Sequence, residues 1–337
     1  MVQSRRGRDS ALIVAAGVSA VVLAVAARLV PRLVARRDER RPGAPEPPRP
    51  LASCVETTVL TDDGASLHVV DCGTGPTILF VHGLSLDSRS WYHQFDDLAD
   101  RFRVVAVDLR GHGRSTVGTT GIGPGRFAAD LATVIEQLEL RDVVLVGHSI
   151  GGTVVGQLCV DNPQLVRERV AGLVFVGTFA AAVAGEGLFR ERVSPTLVRA
   201  SARMRVRDTT SARVVSSGMG YLVARSTFGP RPHAVTVRFI QQLSAGVAPS
   251  VIAAAAVGNL SYDARAALAE LDVPSLVIRG AHDPLATRRS VAQLQSALRD
   301  AETVVFDDCG HAPMLEDHVR FDEVLAAFAE RAVAAPR

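Results

Sequence analysis

The sequence predicts an α/β fold: a doubly wound, mostly parallel eight-stranded sheet interrupted by an inserted, mainly helical cap. Three observations lead there. The runs FRVVAVD, DVVLVGHS, GLVFVGT, SLVIRG and TVVFDD are short, apolar throughout and rich in β-branched residues, as strands buried on both faces must be. Most are separated by helical patterns such as FAADLATVIEQLEL and RRSVAQLQSALRD, and strands alternating with helices imply parallel neighbours. One interval of roughly ninety residues, between the strand ending at Gly177 and the one beginning at Ser275, is too long for a loop.

Composition fits a large folded core, with 47% hydrophobic and 21% charged residues. The net charge of +2 conceals an asymmetry. Residues 1–50 carry ten Arg against Asp9, Asp38, Glu39 and Glu46, which is +6 and leaves 2 − 6 = −4 for the rest. All 37 basic residues are Arg, a signature of genome base composition, and no nucleic-acid partner is expected. The cysteines Cys54, Cys72, Cys159 and Cys309 lack the close spacing of a zinc site or the density of a disulfide scaffold, and are expected to be buried free thiols.

In chain order, residues 1–10 form a basic tail. Residues 11–30 form an apolar run of 20 positions broken only by Ser19 and Arg28, just long enough to span a bilayer as a single helix if Arg28 reaches the interface. A secretory signal cleaved after Ala24-Val25-Ala26 is the competing reading, with Arg5, Arg6 and Arg8 as its basic flank. The six Arg that follow the run favour a cytoplasmic C-terminal side. Residues 31–50 read as an Arg/Pro-rich linker, PGAPEPPRP being a stiff extended spacer. A core over 51–177 and 271–337 then brackets a cap over 178–270. The core opens on CVETTVL, SLHVVDC and TILFVHG, two hairpin strands leading into a buried one.

The chemistry is concentrated in VVLVGHSIGG. Gly147-His148-Ser149-Ile150-Gly151 follows a buried strand and precedes a helix, the context that a G-x-S-x-G turn requires, with a serine exposed on a strained backbone. A serine hydroxyl needs a base, and the base needs an orienting acid. Asp283 follows SLVIRG and His311 follows TVVFDD, so both stand at carboxyl ends of strands. Bland readings exist for each: Ser149 as a helix cap, Asp283 as a turn residue before Pro284, and His311 as a surface histidine.

With VHGLSLDSRSW at 81–91 and DLRGHGRS at 108–115, four motifs stand in order over roughly residues 55–335, and the chain resembles the α/β-hydrolase superfamily, in particular its capped esterase/lipase-like members. The resemblance implies a Ser149, Asp283, His311 triad. It also implies an oxyanion hole from the backbone N–H groups of Leu84 and Ile150, supported by His82, Gly83, Gly147 and Gly151. His148 is expected to pack, and His112 to belong to a structural turn in which Asp108 and Arg114 pair.

The expected activity is hydrolysis of an ester-type acyl substrate, a carboxylester, lipid or thioester, through an acyl-enzyme. Ser149 argues against the epoxide hydrolases and haloalkane dehalogenases of this superfamily, whose nucleophile is a carboxylate. Serine-dependent C–C hydrolysis and cofactor-free perhydrolysis remain open, as does a non-catalytic membrane-tethered binding module. No metal spacing or phosphate loop is recognisable, so neither metal nor cofactor is expected. The cap carries ten Arg from Arg190 to Arg238, read either as a solvated surface or as a face for an anionic bilayer. Nothing indicates an oligomeric state.

Overall fold

The computed structural model describes residues 29–46, 54–182 and 215–335. The apolar run therefore lies outside the described residues except for Leu29 and Val30, as does the first part of the expected cap, 183–214. Among the described residues no single helix is long and apolar enough to cross a membrane.

Eight strands form one sheet: β1 (Val55–Leu60), β2 (Ser66–Cys72), β3 (Thr77–Val81), β4 (Arg103–Val107), β5 (Val143–His148), β6 (Val170–Val176), β7 (Ser275–Gly280) and β8 (Glu302–Phe306). Their spatial order is β1-β2-β4-β3-β5-β6-β7-β8. The first two strands pair antiparallel with each other and β2 pairs antiparallel with β4, while the remaining neighbours are parallel. Strands β3, β5, β6 and β7 are buried along their whole length, which explains their unbroken apolar sequences.

Residues 29–39 form a first helix, α1. Then come α2 (Tyr92–Leu98), α3 (Pro124–Gln137), α4 (Ile150–Asp161) and α5 (Pro163–Arg169). In the cap are α6 (Gly218–Arg225), α7 (Ala234–Ala245) and α8 (Pro249–Gly258). The last four are α9 (Arg265–Ala269), α10 (Arg288–Ala297), α11 (Pro313–Glu316) and α12 (His318–Ala334). One core, with Phe127, Leu131, Leu145, Val154, Leu158, Val277 and Leu294, fills one face of the sheet. A second, with Phe80, Trp91, Phe95, Val146, Ile278, Phe321 and Leu325, fills the other.

The structure corrects the sequence reading in four places. The expected linker over 31–50 is helical up to residue 39 and is docked on the cap rather than free. Pro31, Ala35 and Asp38 are its buried positions, a spacing of four and three that puts them on one helical face, which the surrounding Arg and Pro density obscured. Tyr221 Oη donates to Asp38 Oδ2 at 2.8 Å, Arg225 Nε stands 3.2 Å from the same oxygen, and Arg238 pairs with Glu39.

Secondly, Cys54 and Cys72 are disulfide-bonded, whereas Cys159 and Cys309 are buried free thiols. With Val55 opposite Asp71 in the β1/β2 register, Cys54 and Cys72 face each other one step further along the pair, with Cα atoms 4.5 Å apart. A spacing rule that looks for sequence density misses a bridge across a hairpin. Thirdly, the segment 262–269 packs with the core, since Tyr262, Ala264 and Leu268 are buried against the α4 face, so the cap ends near Ser261 rather than at 270.

Fourthly, Asp108 accepts from the backbone N–H of Arg114 at 2.9 Å and of Ser88 at 2.7 Å, while the Arg114 guanidinium turns to Glu56. The arginine held inside this region is Arg110, fully buried. It donates to Asp130 through Nε and Nη2, both at 2.6 Å, and to Asp63 through Nη1 at 2.9 Å, tying the β1–β2 turn to α3.

Candidate active site

The site lies at the carboxyl ends of β3, β5, β7 and β8. Ser149 occupies the single residue between β5 and α4, with φ 53° and ψ −118°, a conformation that a residue with a side chain adopts only when its surroundings enforce it. Its N–H donates to Val176 O at 2.9 Å, and its carbonyl accepts from Thr178 Oγ1 at 2.8 Å. The two flanking glycines are steric requirements. A Cβ on Gly147 would lie 2.6 Å from Gly151 O, and one on Gly151 would run into the carbonyl of Val81.

Asp283 and His311 meet across the ends of β7 and β8. His311 Nδ1 lies 2.8 Å from Asp283 Oδ2, and the carboxylate oxygen fixes that nitrogen as the donor. Asp283 Oδ1 accepts from the N–H groups of Leu285 at 2.7 Å and Ala286 at 2.9 Å. Burial alone would raise the Asp283 carboxyl, but the His311 hydrogen bond and these backbone donors outweigh it and hold the group below its ordinary value. The acid is therefore ionised, and His311 Nε2 is left as the nitrogen able to take a proton.

Three further groups hold His311 in place. His148 Nε2 donates to the His311 carbonyl at 2.8 Å, and burial drives its imidazole down to about 3, so it stays neutral. The His311 N–H donates to Thr227 O of the cap at 2.7 Å. Glu316, at the end of α11, accepts from Gly310 N at 2.8 Å and from Gly229 N of the cap at 2.7 Å, pinning both loops to one carboxyl. Sequence reasoning gave His148 only a packing role and missed Thr227 and Glu316. The sole sequence signal for Glu316 is an acidic residue five positions after His311.

The loop after β3 is set by His82, which is fully buried and kept neutral by burial. Its Nε2 accepts from Leu109 N at 2.9 Å, which makes Nδ1 the protonated nitrogen, donating to Gly83 O at 2.8 Å. Gly83 approaches the nucleophile so closely that a Cβ there would lie 3.3 Å from Ser149 Cβ. Leu84 follows on the same cavity wall, and Ile150 is the first residue of α4, whose opening N–H groups have no intrahelical acceptor.

Gly83, Leu84, Ser149 and His311 share a cavity of about 530 Å³ with the cap residues Met219, Val223, Phe228, Ile240 and Ile252. Among the described residues no charged side chain lines it. Gln241 spends its amide N–H groups on Val215 O at 2.7 Å and Ser217 O at 2.8 Å, and Ser85 and Ser244 face each other with Oγ atoms 3.0 Å apart. The cavity can accept an uncharged, largely apolar group beside the serine.

With this geometry in place, comparison with known proteins shows the class. Residues 78–324 match the model of the Alpha/beta hydrolase family, and the chain belongs to that family. It is similar to a solved thermophilic esterase from Thermogutta terrifontis, at 26% identity and TM-score 0.68, over 83% of this chain and 99% of that one. A putative aryl esterase from Burkholderia cenocepacia is similar at 26% identity and TM-score 0.66, over 83% of this chain and all of the other. A non-heme haloperoxidase of Rhodococcus erythropolis is 42% identical over 120 residues, covering 35% of this chain and 43% of that protein.

Proposed function

We propose that the protein is a serine ester hydrolase for an uncharged, largely apolar acyl substrate, with Ser149 as nucleophile, His311 as base and Asp283 as its orienting acid. The observation that carries this reading is the Asp283–His311 pair at 2.8 Å, on the same cavity as a serine held at positive φ. His311 Nε2 takes the Ser149 hydroxyl proton as Oγ attacks the acyl carbon. Asp283 stabilises the imidazolium without accepting the proton. The N–H groups of Leu84 and Ile150 receive the developing oxyanion, each donor worth about 3–4 kcal/mol in the transition state. His311 then protonates the leaving alcohol or thiol, and water activated by the same histidine releases the acid.

A second reading, perhydrolysis, is supported by the likeness to the haloperoxidase. It uses the same acyl-enzyme with hydrogen peroxide in place of water.

We also infer that residues 11–30 tether the enzyme to a membrane with the hydrolase domain on its oxidising side. The length of the apolar run supports the tether, and the Cys54–Cys72 bridge supports that side against the arginine count. The described cap arginines support no bilayer face, because Arg225, Arg231 and Arg238 pair with Asp38, Asp308 and Glu39.

One probe tests activity and side together. A charged, membrane-impermeant fluorophosphonate applied to intact cells is expected to label the chain in the membrane fraction, and the label is lost in Ser149→Ala. Labelling that survives Ser149→Ala defeats the nucleophile assignment. Labelling only after lysis defeats the placement.

A further inference from the structure

On the face of the sheet opposite α4, two helices bring together groups that the hydrolase site does not use. His93 and Asp97 stand four residues apart on α2, and His318 and Asp322 stand four apart on α12, so each helix presents an imidazole and a carboxyl one turn from each other. A ring nitrogen of each histidine and a carboxylate oxygen of Asp97 all lie within 4.8 Å of one another. The imidazoles stack, with centroids 3.6 Å apart and planes 1° from parallel, and His318 Nδ1 lies 3.1 Å from Asp97 Oδ2.

We propose that His93, Asp97 and His318 form a site for a divalent transition-metal ion of the Zn²⁺ class, with Asp322 behind Asp97 as its supporting carboxyl. Two imidazoles and a carboxylate are the donor set that such an ion prefers to magnesium or calcium. The cluster is unsatisfied as it stands. His93 is 8% exposed and its Nε2 is buried with no hydrogen-bond partner. Other buried imidazole nitrogens also lack a partner, His148 Nδ1 among them, but His93 belongs to a cluster of potential ligands.

A cation would relieve the crowding of two carboxyls and two imidazoles that otherwise face one another. Metal ligation takes place in the plane of an imidazole, so one stacked ring must turn, and the partly exposed His318 is the one free to do so. Sequence spacing gave no hint, because the two halves of the cluster are more than two hundred residues apart.

Titration of the tag-free, full-length chain with Zn²⁺, followed by calorimetry, is expected to show one ion bound per chain. His318→Ala and Asp97→Ala, both at accessible positions, are each expected to weaken binding at least about 10-fold. Fluorophosphonate labelling of each variant serves as the check that it remains folded. Absence of binding in the parent chain overturns the proposal, and so does binding of parental affinity in either labelled variant.

Discussion

Two pairs of histidines, one at the end of the sheet and one on its flank, show how differently the same side chain is used. His148 and His311 lie with ring centroids 4.8 Å apart, and their hydrogen bonds are directed: Nδ1 of His311 to Asp283, Nε2 of His148 to a backbone carbonyl. The nitrogen left over on His148 abuts Gly83, whose missing side chain makes room for it. His93 and His318 have no backbone partner among these contacts and meet only side chains. Strand ends stand at fixed separations, so carbonyls and N–H groups arrive at set places and choose the tautomer. A pair of helices offers side chains alone, leaving a nitrogen open to an ion.

The largest expected effect tests the directed pair. Asp283→Asn keeps the shape of the acid and both backbone N–H contacts of Oδ1, but presents His311 Nδ1 with an amide that stabilises the wrong tautomer. A fall in kcat of about 10⁴ is expected, by analogy with the same exchange in other serine triads. Steady-state kinetics on a short-chain ester series measures it, and a loss below tenfold removes Asp283 from the role of orienting acid.

A smaller loss is expected from His148→Leu. The variant leaves the His311 carbonyl buried without its donor, which costs about 1–3 kcal/mol of stability and lets the loop drift. Misplacement of the base on the scale of an ångström lowers kcat by up to about 10² with KM little changed. If thermal unfolding shifts but kcat does not, His148 supports the fold and does not position His311.

This contrast also marks what could be read from the sequence. Ser149, Asp283 and His311 were legible because each follows a buried strand, and strand ends in a parallel sheet converge whatever the intervening chain does. The β-branched runs that defined the sheet are the strands buried on both faces. The clamp on His311 was not legible, since Thr227 contributes a backbone carbonyl, which any residue carries. Helix α1 was hidden for a different reason. Its apolar face is only Pro31, Val34 and Ala35, completed by a buried Asp38 whose partner Tyr221 is 183 residues away. The Cys54–Cys72 bridge likewise depends on strand register, which spacing along the chain does not encode.

The smallest expected effect concerns the flank and can be read from the pH dependence of stability. In the unfolded chain the Asp322 carboxyl releases its proton near the usual carboxylate value of about 4, whereas in the folded chain it holds it up to about 8. Between those values the folded state binds the extra proton, so the contribution of this group is fully favourable at the acid end and declines as pH rises. Asp322→Asn does not titrate, and its Oδ1 can still accept from Gln94 Nε2, now 2.8 Å from Asp322 Oδ1. Urea unfolding at about pH 5 and about pH 6 is therefore expected to show a smaller decline in the variant, by on the order of 1 kcal/mol. If the declines are equal, Asp322 is not the group crowded by Asp97.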